Sequence, residues 1–119
     1  MQDFKNLKVW RNAHQLTLDV YAATQWFPAE ERYGLRAQIR ASAASIGINI
    51  AERCARGGDP EFRRFLHFSM GSASELEYQL LLARDLKLLA GRRHVVLTEQ
   101  VTKVKKMTAS LIRKLKADS

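Results

Sequence analysis

Cysteine and long apolar runs are scarce in this 119-residue chain, and each scarcity excludes a kind of protein. The single cysteine, Cys54, excludes an internal disulfide and a metal cluster built on cysteine. No apolar run approaches the roughly 20 residues that a helix needs to cross a bilayer. No segment alternates polar and apolar residues for long enough to indicate a strand. Neither a membrane-spanning helix nor a sheet is therefore expected.

The segment from Met1 to Lys8 is not expected to be a secretory signal, because charged side chains interrupt each of its turns. With 46% hydrophobic and 27% charged residues, the composition is typical of one packed domain, which we place at residues 1–119. We expect a cytoplasmic protein with no membrane partner.

Acidic residues are the minority, since 12 Asp and Glu stand against 20 Lys and Arg, for a net charge of +8. The excess is concentrated in residues 92–119, where eight basic residues stand against only Glu99 and Asp118, a net of +6. A strongly basic chain favours a polyanionic partner, most simply nucleic acid. The alternative is a solubilising face that ends in a basic tail.

Turn signals divide the sequence into four segments with helical periodicity. Gly57-Gly58 ends the second segment, Asp59-Pro60-Glu61 is a strong start signal for the third, and Gly91 marks the expected end of the third. The predicted helices run approximately from Phe4 to Trp26 or Phe27, Arg32 to Arg56, Pro60 to Leu89 and His94 to Lys116. Four long helices with short loops predict an all-α fold, an antiparallel up-and-down four-helix bundle.

The third helix carries more apolar surface than one bundle can bury. One stripe consists of Phe62, Leu66, Ser69, Ala73, Leu76, Leu80 and Ala83, and a second consists of Phe65, Phe68, Leu82, Leu86 and Leu89. Because a helix in a monomeric bundle buries only one face, the second stripe predicts self-association.

Polar side chains occur in the middle of the second helix. Because Ser and Asn are weak helix formers, we expect tertiary contacts to account for them at these positions. Gly47, in the same stretch, indicates a kink or a close contact. The stripe on the second helix consists of Ser45, Asn49, Glu52 and Arg56, and a matching stripe on the third consists of Ser72, Glu75 and Gln79. One interpretation is a ligand or RNA site. The other, which we favour, is a buried hydrogen-bond network that fixes helix register or assembly.

Catalytic and metal-binding patterns are scarce. His14, His67 and His94 lie on three different predicted helices without metal-ligand spacing, and Cys54 fits a small core thiol. Gly57-Gly58 lacks the lysine and hydroxyl residue of a phosphate loop. We therefore expect no catalytic residues, no metal and no cofactor.

Basic side chains are the candidates for nucleic-acid binding. They are Arg36, Arg40, Arg53, Arg56, Arg63, Arg64, Lys103, Lys105, Lys106, Arg113, Lys114 and Lys116. Because no RNA-recognition motif, zinc finger or aromatic stacking platform accompanies them, binding is expected to be directed at the backbone, with little sequence specificity.

Short motifs follow one another between Phe4 and about Leu89. They are Val9-Trp10, Phe27-Pro28 with Glu31, Tyr33-Gly34-Leu35, Gln38-Ile39-Arg40, Ser45-Ile46, Asn49-Ile50-Ala51-Glu52, Arg56, Phe62, Phe65-Leu66, Gly71-Ser72 and Glu75-Leu76. In their order and spacing these motifs resemble the 23S rRNA-intervening sequence protein family. Two positions depart from the family pattern: Arg53, where glycine is usual, and Gly47, near a position where proline is common.

The resemblance implies a four-helix bundle that assembles as a homopentameric barrel and brings no enzymatic activity. It also implies a relationship to the accessory variability proteins of diversity-generating retroelements, which are basic and associate with nucleic acid and a reverse transcriptase. We therefore predict a non-enzymatic oligomer that binds RNA, DNA or a nucleic-acid-processing protein. The alternative is an oligomeric scaffold whose basic surface meets an acidic protein.

Overall fold

Four α-helices make up the fold. A computed structural model describes residues 3–56 and 59–118, with side chains described for residues 3–55 and 61–115. The helices are α1 (Lys8–Thr24), α2 (Leu35–Arg56), α3 (Asp59–Asp85) and α4 (Gly91–Asp118). The described ranges contain no strand, and none of their helices is both long and apolar enough to pass through a membrane. The prediction of an all-α fold with four helices is confirmed.

The helices pack in a ring around one core. α1 and α3 each contact both α2 and α4, so α1 lies diagonally opposite α3 in an elongated bundle of 46 × 22 × 20 Å. Each helix contributes apolar side chains at spacings of three and four residues, as helical periodicity requires. Fully buried members of this core are Leu16, Val20, Ile39, Ile46, Ile50, Leu66, Leu76, Leu80, Leu97, Val101 and Val104.

The first two helices begin later than the sequence predicts, because acidic side chains form separate turns in front of them. Asp3 Oδ1 accepts a hydrogen bond from Lys5 N at 3.0 Å, and a 3-10 turn at Phe4–Asn6 precedes α1. Glu31 ends a second 3-10 turn at Ala29–Glu31, and its Oε1 accepts from Leu35 N at 3.1 Å. The Glu31 carboxylate therefore caps α2 from the connection rather than from the first turn of the helix.

The end of α3 corrects a prediction, since Gly91 is not a C-terminal cap but the first residue of α4. Lys87 has a φ of 65°, in the left-handed region. Lys87 N donates to Arg84 O and Leu88 N donates to Ala83 O, both at 2.9 Å. This pattern is a Schellman motif, in which a left-handed residue satisfies the last carbonyls of a helix. Gly57-Gly58, predicted to end α2, lies outside the described residues.

The predicted second apolar stripe of α3 is divided in the structure. Phe65 and Leu89 are buried, and Leu82 is half-buried and packs on the core. Phe68 and Leu86 are exposed, and Leu86 lies just beyond the end of α3. The fold therefore uses part of this stripe within the chain and leaves Phe68 on the surface.

The left-handed conformation of Lys87 yields a stability prediction. Steric contact of the Cβ makes this conformation about 1–2 kcal/mol less favourable for a residue other than glycine. Glycine has no such contact, although it loses more backbone entropy on folding. Lys87→Gly is expected to raise the free energy of unfolding by up to about 1 kcal/mol. The matched control, Lys103→Gly on the exposed side of α4, should lower it by about 1 kcal/mol. Urea denaturation measures both, and a decrease for Lys87→Gly would contradict the assignment.

Candidate nucleic-acid interface

Lysine side chains line one exposed side of α4, and we call Lys103, Lys106 and Lys114 the α4 basic strip. Helical spacing separates them from the buried residues of α4, so all three point outward. Two grooves, of about 380 and 460 Å³, follow the strip and share Lys106 and Met107. Lys8 of α1 lines the larger groove beside Lys106 and Lys114. None of these four lysines makes an ion pair within the described residues.

Other predicted basic residues are already engaged inside the chain. Lys105 Nζ lies 3.0 Å from Glu77 Oε1 of α3, and Arg64 lies 3.3 Å from Glu61. Arg53 is only 5% exposed, and its guanidinium stacks over the Phe62 ring at 4.1 Å. Because its guanidinium is buried in this contact, Arg53 is not available on the surface to bind a nucleic acid.

The remaining members of the predicted set differ in placement. Arg113 is exposed, and Arg63 is half-buried. The side chains of Arg56 and Lys116 lie outside the described residues. Arg36 and Arg40, both half-buried, belong to a second cationic cluster at the other end of α1.

This cluster is a pocket of about 360 Å³, which we call the arginine pocket. It is lined by Tyr21, Arg32, Arg36, Ala37, Arg40 and Ala41. Arg40 Nε donates to Thr24 Oγ1 at 2.9 Å, and its Nη2 donates to Tyr21 O at 3.0 Å. Its guanidinium also lies 4.4 Å from the centre of the Tyr21 ring. Arg40 therefore caps the C-terminal end of α1, where unpaired carbonyls favour a cation.

Positive charges in the arginine pocket affect one another. Burial and, next, the positive charge of Arg36 lower the pKa of Arg40 from its usual value, while Tyr21 acts in the opposite direction. The guanidinium of neither Arg32 nor Arg36 forms a hydrogen bond or an ion pair with any described residue. The sequence prediction missed Arg32 and Tyr21. The spacing of four between Arg32, Arg36 and Arg40 was the available signal.

Polar side chains join α2 to α3 along what we call the polar seam. Ser42 Oγ donates to Glu75 Oε1 at 2.9 Å, and Ser45 Oγ lies 2.9 Å from Ser72 Oγ. Asn49 Nδ2 donates to Ser45 O at 2.8 Å and to Ser45 Oγ at 3.1 Å. The structure thus brings Ser45, Asn49 and Ser72 together. It joins Glu75 through Ser42, which the predicted set did not contain.

The other members of the predicted network lie at the edges of the seam. Glu52 is exposed, and the side chain of Arg56 lies outside the described residues. Gln79 is only 7% exposed, and its Oε1 accepts no hydrogen bond. It lines a groove of about 480 Å³ with Gln38, Ser42, Ser45 and Glu75. Because buried polar atoms are normally paired, the seam is incomplete at Gln79 within one chain.

Histidine and cysteine residues have packing contacts. His14 stacks on Trp10 with ring centres 4.9 Å apart, and His94 Nε2 lies 3.3 Å from Thr98 Oγ1. His67 is exposed and Cys54 is buried. The described residues contain no group of three or more His, Cys, Asp or Glu side chains placed to hold a metal ion. Gly47 faces the indole of Trp10, but a Cβ there would lie 3.4 Å from Trp10 Nε1, an ordinary van der Waals distance, so this contact does not require glycine. Helix α2 continues through Gly47 without a break.

The hydroxyl pair of the polar seam can be tested by a double-mutant cycle. Ser45→Ala and Ser72→Ala should each lower the free energy of unfolding by about 1 kcal/mol, because each removes the hydrogen bond that joins the two hydroxyl groups. The double variant should cost less than the sum of the two changes. Ser74→Ala, at an exposed position of α3, is the control and should change stability by less than about 0.5 kcal/mol. Additive single effects in urea denaturation would show that the two serines are not coupled.

Comparison with known proteins identifies a matching family and a protein of similar fold. No curated protein has significant sequence similarity to it. A solved structure from Bacteroides thetaiotaomicron, described as a protein with unknown function from the S23 ribosomal protein family, is 21% identical. The two superpose with a TM-score of 0.81 over 87% of this chain and 97% of that one, which shows a shared fold. The model of the 23S rRNA-intervening sequence protein family matches residues 5–110, which extends the predicted resemblance into α4, and the chain belongs to that family.

Proposed function

We propose that this protein is a non-enzymatic, cytoplasmic oligomer that binds nucleic acid, or a nucleic-acid-processing protein, through its basic surface. The observation that carries the proposal is the α4 basic strip, whose lysines are exposed beside two grooves without carboxylate partners in the described residues. Lysines of this kind attract phosphates regardless of base sequence. The family description and the structural relative both refer to ribosomal components, which makes RNA the first nucleic acid to test.

The proposed oligomer is supported by the outer surface of α3. Phe68 and Tyr78 are exposed there, and Gly71 lies between them in sequence. A Cβ at Gly71 would meet no atom within 4 Å, so nothing within the described chain requires glycine at this position. Because glycine costs a helix about 1 kcal/mol relative to alanine, a close approach by another subunit accounts for it.

The polar seam supports assembly by an independent route. Gln79 Oε1 is buried and accepts no hydrogen bond from the described residues, and the groove that Gln79 lines is open to the outside. A neighbouring subunit that places a donor in this groove would complete the network that α2 and α3 begin. We propose five subunits, the number that the resemblance to the family implies.

The alternative function is an oligomeric scaffold whose basic surface meets an acidic protein. Val95 and Val96 favour it, because both are exposed in the first turns of α4, close in sequence to Arg92 and Arg93. Apolar side chains next to cations are typical of protein interfaces, whereas a phosphate backbone offers them no partner.

Salt dependence tests the proposed nucleic-acid binding. The triple variant Lys103→Gln, Lys106→Gln and Lys114→Gln should bind unrelated duplexes more weakly and to a similar degree. Its plot of log affinity against log salt should be less steep by about 0.9 for each lost contact with a DNA phosphate. Lys105→Gln is the control, because Glu77 already neutralises this lysine. Fluorescence anisotropy measures both, and no binding at low salt by the unmodified oligomer would leave only the scaffold alternative.

Assembly is tested by a pair of substitutions at equally exposed sites. Phe68 on α3 and Leu18 on α1 are both 50% exposed in the single chain. Phe68→Asp should reduce the particle to smaller species, because a buried interface does not accommodate an unpaired charge. Leu18→Asp, as the control, should leave the oligomer intact. Light scattering reports the mass, and a monomeric unmodified protein at micromolar concentration would contradict the proposal.

A further inference from the structure

Arginine and aromatic residues are concentrated at the end of the bundle where α1 connects to α2. Trp26 is 86% exposed and Tyr33 is 89% exposed, the two highest values among the large apolar side chains of the described residues. Trp26 follows α1 directly, and Tyr33 lies between Arg32 and the start of α2. Both rings are therefore at the same end of the bundle as the arginine pocket.

Fixed geometry distinguishes the arginine pocket from a set of mobile surface charges. Arg40 is held by Thr24 Oγ1, by Tyr21 O and by the Tyr21 ring, so its guanidinium has a defined position in the wall. Arg36, in the first turn of α2, and Arg32, in the connection before α2, line the same pocket. Arginine presents a planar set of donors that matches the oxygens of a phosphate group.

No carboxylate of the described residues forms an ion pair with the three arginines of this pocket. Glu31, in the preceding turn, directs its Oε1 to Leu35 N. Asp19, one turn before the end of α1, accepts hydrogen bonds from Gln15 and Gln100. Three arginines therefore line about 360 Å³ without a paired carboxylate, an arrangement that favours an anion.

Single-stranded nucleic acid is the anion whose chemistry matches both features. Proteins that bind single strands combine cations that follow the backbone with exposed aromatic rings on which bases stack. A duplex hides the faces of its bases, so it would use the arginines but not the two rings. An acidic peptide would also use the arginines but would provide no planar bases for Trp26 and Tyr33.

We propose that the arginine pocket binds a backbone phosphate of single-stranded nucleic acid, and that Trp26 and Tyr33 stack on the neighbouring bases. This inference rests on the proposed nucleic-acid binding and assigns it a second contact region, distinct from the α4 basic strip. The strip contacts phosphates of any strand, whereas the arginine pocket and the two rings favour unpaired bases.

Two double variants of the full-length protein separate the two parts of this site. Arg32→Gln with Arg36→Gln should weaken binding of a labelled oligouridine RNA about tenfold and make the salt dependence less steep by about 0.7, the value for one phosphate of a single strand. Trp26→Ala with Tyr33→Ala should weaken oligouridine binding at least fivefold, because stacked bases are lost. The aromatic variant should leave the salt slope and the affinity for a duplex unchanged.

A charge-matched control removes two cations that carboxylates already neutralise. Arg84 lies 2.9 Å from Asp85, and Lys105 lies 3.0 Å from Glu77. Arg84→Gln with Lys105→Gln has the same net charge as the arginine variant and should change oligouridine affinity by less than about twofold. Light scattering on every variant establishes that the oligomer is unchanged.

Tryptophan fluorescence gives a direct measure of stacking. The chain has two tryptophans, so Trp10→Phe leaves Trp26 as the only indole. Oligouridine should quench this fluorescence at the concentrations that saturate anisotropy, and inorganic polyphosphate should bind without quenching it.

Several results would overturn the inference. If the arginine variant behaves like its control while the α4 strip variant loses binding, the proposed function stands and this site is wrong. Equal losses for oligouridine and duplex in the aromatic variant would exclude stacking. Loss of the oligomer in the aromatic variant would identify the two rings as an interface between subunits. If the unmodified protein binds no nucleic acid at all, the inference and the proposed function fail together.

Discussion

Close packing of α2 on α3 is the constraint on which the other features depend. Residues 41–45 of α2 have only small side chains, which allow α3 to approach closely. Two serines of α2 and one serine of α3 form hydrogen bonds between the two helices. Ser42 reaches Glu75, Ser45 reaches Ser72, and Ser69 Oγ donates to Ile46 O at 3.0 Å. These bonds fix the register of the two helices, because sliding either helix by one turn would leave buried polar groups unpaired.

The register of α2 in turn determines where its arginines lie. With Ile39, Ile46 and Ile50 held in the core, the start of α2 lies against the end of α1. Arg40 then reaches the carbonyl oxygen of Tyr21, and the side chain of Arg36 lies beside it without an ion pair to a described residue. The surface assigned to nucleic acid is thus a consequence of the packing on the opposite side of the same helix.

The helices could be predicted from the sequence because each has a regular apolar face, but their ends depend on single contacts. The Glu31 carboxylate accepts a hydrogen bond from Leu35 N, which the sequence pattern does not predict. Lys87 adopts a left-handed conformation, which a lysine in the sequence gives no reason to expect. The sequence predicts that basic residues are abundant, but it does not predict which of them are available on the surface. Whether a lysine is available depends on the helix opposite it, as the pairing of Lys105 with Glu77 shows. The arginine pocket required the contact between α1 and α2, which spacing along one helix does not reveal.

The central claim is that nucleic acid contacts the basic surfaces while the polar seam holds helices together. Ultraviolet cross-linking of the full-length oligomer to oligouridine, followed by mass spectrometry of the peptides, tests it most directly. The account predicts cross-links at Trp26 or Tyr33 and on α4 near Lys103 and Lys106, with none at Ser45 or Asn49. Cross-links confined to the polar seam would contradict it and would make the seam the binding site.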